Sequence, residues 1–287
     1  VAEQLVIDRP NAPTVSTRTS RSSGGRGGNA ATTAILVVAL IFFFLPWIAA
    51  AVFGFTRPGE GITAAPLLES LQNPKALPAI RDTLLLTLAS TLLMLALLVP
   101  TNIFLNLRAP QLAKVAEMLS VLPLVISAVA LVSGVSQFYR AVAPAFINSL
   151  WSLVPLYVIL SMPLCYRAID AGVKALDLRT LFAASSSLGA GTWTTLLRVV
   201  LPNLRVAMLS AALLSVAMCL AEYAMASLLL HYTFPVFLVE VSNNNPRGIA
   251  ALSFITVIIT WLLLVAISAM SRADRATDTA TDKVRKN

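Results

Sequence analysis

Glu222 carries the most informative chemistry in this sequence, because it sets a carboxylate inside the long apolar run 203–230. A charge in a membrane-length helix is costly and normally faces protein or water. Two roles suit it. With Tyr223 beside it, it can line a translocation path and meet a cationic or hydrogen-bonding solute, or it can be a structural partner for a serine or arginine of another helix. At a rise of about 1.5 Å per residue, Glu222 stands about 30 Å beyond Pro202, in the far half of that run. The other reactive side chains offer little to an enzyme. The single histidine, His231, ends the same run and reads as an interfacial hydrogen-bonding group, while Cys165 and Cys219 lie in apolar runs and read as buried free thiols. Neither cysteine has disulfide or metal-ligand spacing. Glu117, three residues after Lys114, reads as half of a local ion pair. A Gly-x-x-x-x-Gly-Lys-Ser/Thr loop, a Gly-x-Ser-x-Gly elbow and a His-Glu-x-x-His pair are all absent from the sequence. No catalytic residue, metal site or cofactor is therefore expected in this chain, and it cannot cradle ATP phosphates by the usual route.

The elements that must position Glu222 are membrane helices. Of 287 residues, 57% are hydrophobic and 12% charged, with a mean hydropathy of +0.82. That balance indicates a polytopic membrane protein in a lipid bilayer. Continuous apolar runs without alternation select helices over a barrel. Six spans are expected, at 34–53, 82–107, 112–135, 147–167, 203–230 and 248–270. The first run could be a signal peptide, but it is long for a signal core and precedes no sizeable exported domain. Pro123 is expected to kink the third span. Residues 54–80 read as an external loop with one surface helix near 67–71, 137–146 as a short link, and 232–247 as an outer turn whose Pro246 starts the last helix. A basic tail, 1–31, and a charged one, 272–287, flank the membrane domain 32–271. The net charge of +8 invites a nucleic-acid reading, but the basic residues are scattered and lack aromatic interleaving or a binding motif, so no nucleic-acid partner is expected. Sixteen of the 21 Lys and Arg fall on one side if both termini are cytoplasmic, which places the 168–201 segment there too. No convincing long internal repeat is present.

Within 177–202 lies a polar, glycine-hinged interruption between two apolar runs. Residues 179–188 have helical composition, Gly189-Ala190-Gly191 reads as a turn, and Thr192 can cap a second short helix. Trp193, Leu196, Leu197 and Val200 follow i, i+3, i+4, i+7 spacing and are expected on one face. Pro202 suits the first turn of the following helix, where its missing donor is not needed. The expected shape is a handle outside the bilayer: helix, sharp turn, helix.

This handle resembles the signature loop of ATP-binding-cassette importer permeases. The family pattern runs Glu-Ala-Ala, three residues, Gly, six residues, an apolar residue, two residues, Ile or Val, one residue, Leu-Pro. Ala184, Gly189, Leu196, Val199, Leu201 and Pro202 fall at that spacing, and Leu188-Gly189-Ala190 with Trp193 is also typical. Ala183 stands where the family usually has glutamate, and Ser185 replaces the second alanine. Leu122-Pro123-Leu124-Val125-Ile126 is similar to a Leu-Pro-x-x-x-Pro segment of the family, with Ser127 in place of the second proline. Glu222-Tyr223 with Leu228-Leu229-Leu230, Thr233-Phe234-Pro235, and 245–252 resemble permeases for polyamines, iron, phosphonates and oxyanions more than those for sugars. The resemblance implies an all-helical prokaryotic inner-membrane subunit with a coupling loop between the fourth and fifth spans. It also implies a second permease subunit, homologous or identical, two ATPase subunits holding ATP and Mg, and an extracytoplasmic solute-binding protein. Leu181, Phe182, Ala184, Gly189 and Trp193 would then carry the ATPase contact, with Ala183, Ala190, Leu196, Leu201 and Pro202 completing the coupling loop. Glu222 and Tyr223 would lie on the translocation path.

Overall fold

Apolar runs become helices here because a chain surrounded by lipid has to pair its backbone groups internally. The computed structural model describes residues 26–262 and 265, with side chains from residue 32. The tails predicted at 1–31 and 272–287 lie outside the described residues, except that α1 (Arg26–Phe55) already starts at Arg26. The chain divides into two compact units at Ile48. The first contains the leading part of α1, an uninterrupted apolar helix. The second holds everything from Ala49 onward.

In that second unit, the end of α1 leads into a small antiparallel hairpin of β1 (Thr56–Arg57) and β2 (Gly61–Ile62). The surface helix follows as α2 (Ala65–Leu71). The long α3 (Ala76–Arg108) begins six residues before its predicted start, because Pro78 falls in the first turn, where backbone donors have no helical partner. Next come α4 (Pro110–Val125), α5 (Ala128–Val142), the short α6 (Pro144–Ile147) and α7 (Leu153–Ala175), entered through a single turn at Leu150–Ser152. The handle is α8 (Leu178–Ser187) and α9 (Thr192–Thr195), and α9 runs through a wide π turn (Leu196–Val200) into α10 (Leu201–Leu220). Beyond lie α11 (Ala224–Leu228), α12 (Phe234–Ser242) and α13 (Pro246–Leu262). The segment predicted as an outer turn, 232–247, thus contains a helix, and Pro246 starts α13 as expected.

Among the described residues four helical segments are long and apolar enough to cross a membrane: Thr32–Phe55, Ala76–Arg108, Leu150–Ala175 and Thr192–Leu220. The protein is therefore an all-α membrane protein whose described residues hold four candidate spans, or five if the bent pair α4 and α5 is one. The predicted third span is not a kinked rod. It breaks at Ile126–Ser127, where both residues are extended, and α5 leaves α4 at 102°. Pro123 stays inside α4, and the break falls where β-branched Val125 and Ile126 meet Ser127, a residue type favoured at helix starts. The link predicted at 137–146 is largely the end of α5. The predicted fourth span, 147–167, is shifted, because α7 continues to Ala175. Of the predicted sixth span, residues up to Leu262 are helical, 17 residues counted from Pro246, and the remainder lies outside the described residues apart from Val265.

The core forms where α3, α7 and α10 pack on one another, with α4 against α7. One cluster, at the handle end, joins Met94, Leu98 and Ile103 of α3 to Tyr166, Ile169 and Val173 of α7 and Leu204 of α10. A second joins Leu86, Leu156, Tyr157 and Cys219 to Val132 of α5 and Met225 of α11, and a third joins Ala76 and Ala79 of α3 to Phe237 of α12 and Leu252 of α13. Lipid tails are as apolar as leucine, so close packing and interhelical hydrogen bonds, not transfer from water, hold such helices together. Thr91 Oγ1 donates to Ser215 Oγ at 3.0 Å across the α3–α10 seam. Bonds of this kind contribute about 0.6 kcal/mol on average.

One strained residue marks the end of α11. Leu230 has φ +60° and is 92% exposed, while Leu230 N donates to Ser227 O at 3.1 Å and His231 N to Ala226 O at 2.9 Å. This is a Schellman ending with leucine where glycine is usual. Leu230→Gly is expected to raise stability by about 1 kcal/mol, the cost of left-handed backbone for an L-residue, in thermal unfolding of the detergent-purified protein.

Candidate functional site

The handle is built from its two caps inward. Asp177 closes the start of α8: its Oδ1 accepts from Thr180 N at 3.2 Å and its Oδ2 from Thr180 Oγ1 at 2.6 Å. Those two bonds, the hydroxyl's first, hold the exposed Asp177 carboxyl below the usual carboxylate range. A depressed folded-state pKa means that the cap is complete above the unfolded value and is lost as pH falls through the folded one. Protection of the amides at 178–183, taken relative to their intrinsic exchange rates, is therefore expected to fall on acidification, and Asp177→Ala should show the reduced protection already at neutral pH. Asp177 was legible as an N-cap type before a helical run, and sequence reasoning passed over it.

α8 ends on Gly189. With φ +79°, Gly189 donates to Ser186 O at 2.9 Å, and Ala190 N donates to Ser185 O at 3.0 Å. These are the paired bonds of a Schellman motif, which requires a left-handed residue at that position. Gly191, not Thr192, is the cap of α9: it is extended, and its carbonyl accepts from Thr195 N at 3.0 Å. Thr192 already lies in the helix.

The second half of the handle is not a separate short helix. Thr192–Leu220 is continuous, and Pro202 sits inside it rather than at its start. A proline there removes one helical donor, and the π turn absorbs the defect: Leu201 N reaches back five residues to Leu196 O, and Asn203 Nδ2 donates to Val199 O at 2.7 Å. The wider turn also rotates the predicted face. Val200 is buried and Leu196 packs on the core, whereas Trp193 and Leu197 are exposed. An apolar groove of about 260 Å³ separates the π turn from α3, lined by Leu95, Val99, Ile103, Leu196, Leu201 and Met208.

The other handle residues divide in the same way. Phe182 and Leu201 are half-buried and pack on the handle-end core, and Leu181 and Ala190 are half-buried. Ala183, Ala184, Gly189 and Pro202 are exposed, as are Leu188 at 88% and Trp193 at 74%. Two large apolar side chains therefore stand out from a rigid bend whose base is anchored in the core.

Glu222 does not lie inside a helix. α10 stops at Leu220, and Glu222 occupies the break before α11, where its Oε1 accepts from Met225 N at 2.8 Å. The carboxylate supplies the acceptor that the interrupted backbone lacks, so it tolerates an apolar setting. It lies within electrostatic reach of Tyr157 on α7. Tyr223 is exposed, and its hydroxyl accepts from Ser227 Oγ at 3.4 Å. The residues around Glu222 thus come from α7, α10 and α11, and α11 packs on α5, the helix that follows the other break. His231 bonds Ser152 Oγ and Ile147 O, each at 3.1 Å through Nε2. Cys165 and Cys219 are free and buried. Lys114 and Glu117 form no ion pair, and Glu117 lies within electrostatic reach of Tyr166 and Lys174 instead. Sequence reasoning missed a further charge, Asp170, buried in α7.

The fold and these sites define a helical integral-membrane protein with interrupted helices and an exposed, capped helical bend. Comparison with known protein families and with curated proteins gives no match to the chain.

Proposed function

We propose that this chain is the membrane-spanning permease subunit of an ATP-driven, binding-protein-dependent importer, with 177–202 as its docking handle. The observation that carries the reading is the bend itself. Leu188 and Trp193 are exposed on either side of a Schellman turn that lies between candidate spans, and α9 continues without interruption into α10. A paired apolar projection on a rigid mount suits insertion into a cleft of a partner, and the motif spacing around Gly189 names that partner's class as an ATPase. The partner supplies ATP, Mg and hydrolysis, and this chain contributes no catalytic group. Closure of two ATPase subunits would displace the handle, and the displacement would reach α7 through α8 and α10 through the π turn. Together with a second permease, homologous or identical, that motion would switch the path between inward-open and outward-open. A delivery protein would meet the opposite face. In this reading the chain sits in a prokaryotic cell membrane with both termini cytoplasmic.

Glu222 and Tyr223 at the second helix break are the solute-facing candidates, and a carboxylate beside a phenol favours a small cationic solute of the polyamine type over a sugar or sugar phosphate. Glu222→Gln keeps an oxygen acceptor for Met225 N, so the variant is expected to fold and assemble while transport of a cationic solute falls about tenfold or more. Loss of assembly in that variant would make the residue structural.

The two helix breaks favour a second reading, an ion-gradient-driven secondary transporter or channel, because interrupted helices also build ion sites. Purification in mild detergent separates the two. Co-purification of a nucleotide-hydrolysing subunit in a two-to-two ratio with permease chains supports the importer. Transport by this chain in vesicles without any ATPase supports the alternative.

A further inference from the structure

Asp170 is 6% exposed in α7, between Arg167 and Lys174 and two turns before the handle begins. Its Oδ1 accepts from Asn106 Nδ2 of α3 at 3.0 Å, and its Oδ2 lies 2.6 Å from Lys174 Nζ. Asn106 Nδ2 also donates to Asn102 O at 3.0 Å, and the buried Asn102 donates its own amide to Leu98 O at 2.9 Å. One turn earlier on α7, the buried Tyr166 hydroxyl donates to Ala113 O of α4 at 3.1 Å. Lys174 alone would satisfy the charge within one helix. The bond from Asn106 goes further, because it crosses to α3 at the level where α7 gives way to the handle. The Lys174 side chain is 53% exposed, so the ion pair itself stabilises little, and what the buried carboxylate contributes through Asn106 is geometry.

We propose that Asp170 is a positioning residue that locks α7 to α3 through Asn106, so that a displacement of the handle moves both helices as one body. The proposal rests on reading the handle as the point where motion enters. In the free chain the lock would hold the handle at one distance from the end of α3. Asn106 of α3 and Lys174 of α7 bond Asp170 directly, and the Asp170 and Glu117 charges both act on Tyr166 and Lys174.

The test is a spin-label distance measurement on the full chain in lipid nanodiscs, with labels at Arg108→Cys and Leu188→Cys. Cys165 and Cys219 are buried, so a polar label spares them. The parent is expected to give one narrow distribution. Asn106→Leu should broaden it at least about twofold, since an apolar side chain leaves the carboxylate without its cross-helix donor. Asp170→Asn keeps an oxygen acceptor and should retain the narrow distribution. Asp170→Leu should match Asn106→Leu; if it does not fold, Asn106→Leu carries the test, monitored for folding by gel filtration. A distribution as narrow in folded Asn106→Leu as in the parent overturns the lock. This measurement needs no ATPase, so it stands apart from the handle reading. A lock present in the free chain, with solute uptake indifferent to Asn106→Leu in the assembled transporter, would overturn its part in passing on the handle's motion and leave the handle reading standing.

Discussion

Gly189→Val is expected to abolish most coupled transport while leaving the membrane helices folded. The reason is confined to one backbone angle. Gly189 has φ +79°, and a Cβ built there meets nothing within 4 Å, so the cost of a side chain is conformational and not steric against neighbours. An ordinary L-residue pays about 1–2 kcal/mol for left-handed backbone, and a β-branched one more. Each 1.4 kcal/mol shifts an equilibrium about tenfold, so the correctly bent handle should become the minority form. Asparagine tolerates this region and alanine less so, which sets the order of activity Gly, Asn, Ala, Val. The readouts are uptake into vesicles and ATP hydrolysis stimulated by the delivery protein. Wild-type values for both in Gly189→Val would remove the handle from the mechanism.

Gly172→Val should have the larger effect on stability. Gly172 lies where α7 crosses α10, and a Cβ there would stand 2.3 Å from Ala207 Cβ. A methyl group cannot rotate aside, so the helices must separate. Overpacking of this kind costs about 1–3 kcal/mol. The same segment of α7 carries Asp170 and leads into α8, so separation there also loosens the mount of the handle. The partner substitution supplies the control. Ala207→Gly removes the obstructing methyl and leaves the Ala207 Cα at 3.7 Å, an ordinary contact, so it should restore most of the stability lost in Gly172→Ala. Thermal unfolding of the detergent-purified variants measures both. Equal destabilisation of Gly172→Ala with and without Ala207→Gly would show that the crossing is not what Gly172 serves.

The parts of this structure that were legible in sequence are those that depend on local chemistry. Gly189 announced the turn because few other residues reach its φ, the apolar runs announced helices, and Pro246 announced the start of α13. The breaks were hidden. A hydropathy run averages over two or three non-helical residues, and at 221–223 the missing backbone partner is replaced by a side chain, Glu222, whose sequence position reads instead as a charge within a helix. At Ile126–Ser127 the visible signal was Pro123, which sits in the wrong place: the chain tolerates it inside α4 and turns three residues later. Pro202 misled in the opposite direction, suggesting a helix start where a π turn carries the helix past it. Asp170 escaped because it was placed in a loop, and its meaning depends on Asn106, 64 residues away.

The most direct measurement is site-specific photo-crosslinking from Trp193 and Leu188, each replaced by a photoreactive amino acid in cells that express the native complex. Capture of a nucleotide-hydrolysing subunit from both positions, and none from the lipid-exposed face of α3 at Leu92, is the expected result. Crosslinks to lipid or to an extracytoplasmic protein from these two positions, or labelling of Leu188→Cys by a membrane-impermeant reagent added outside intact cells, would contradict it.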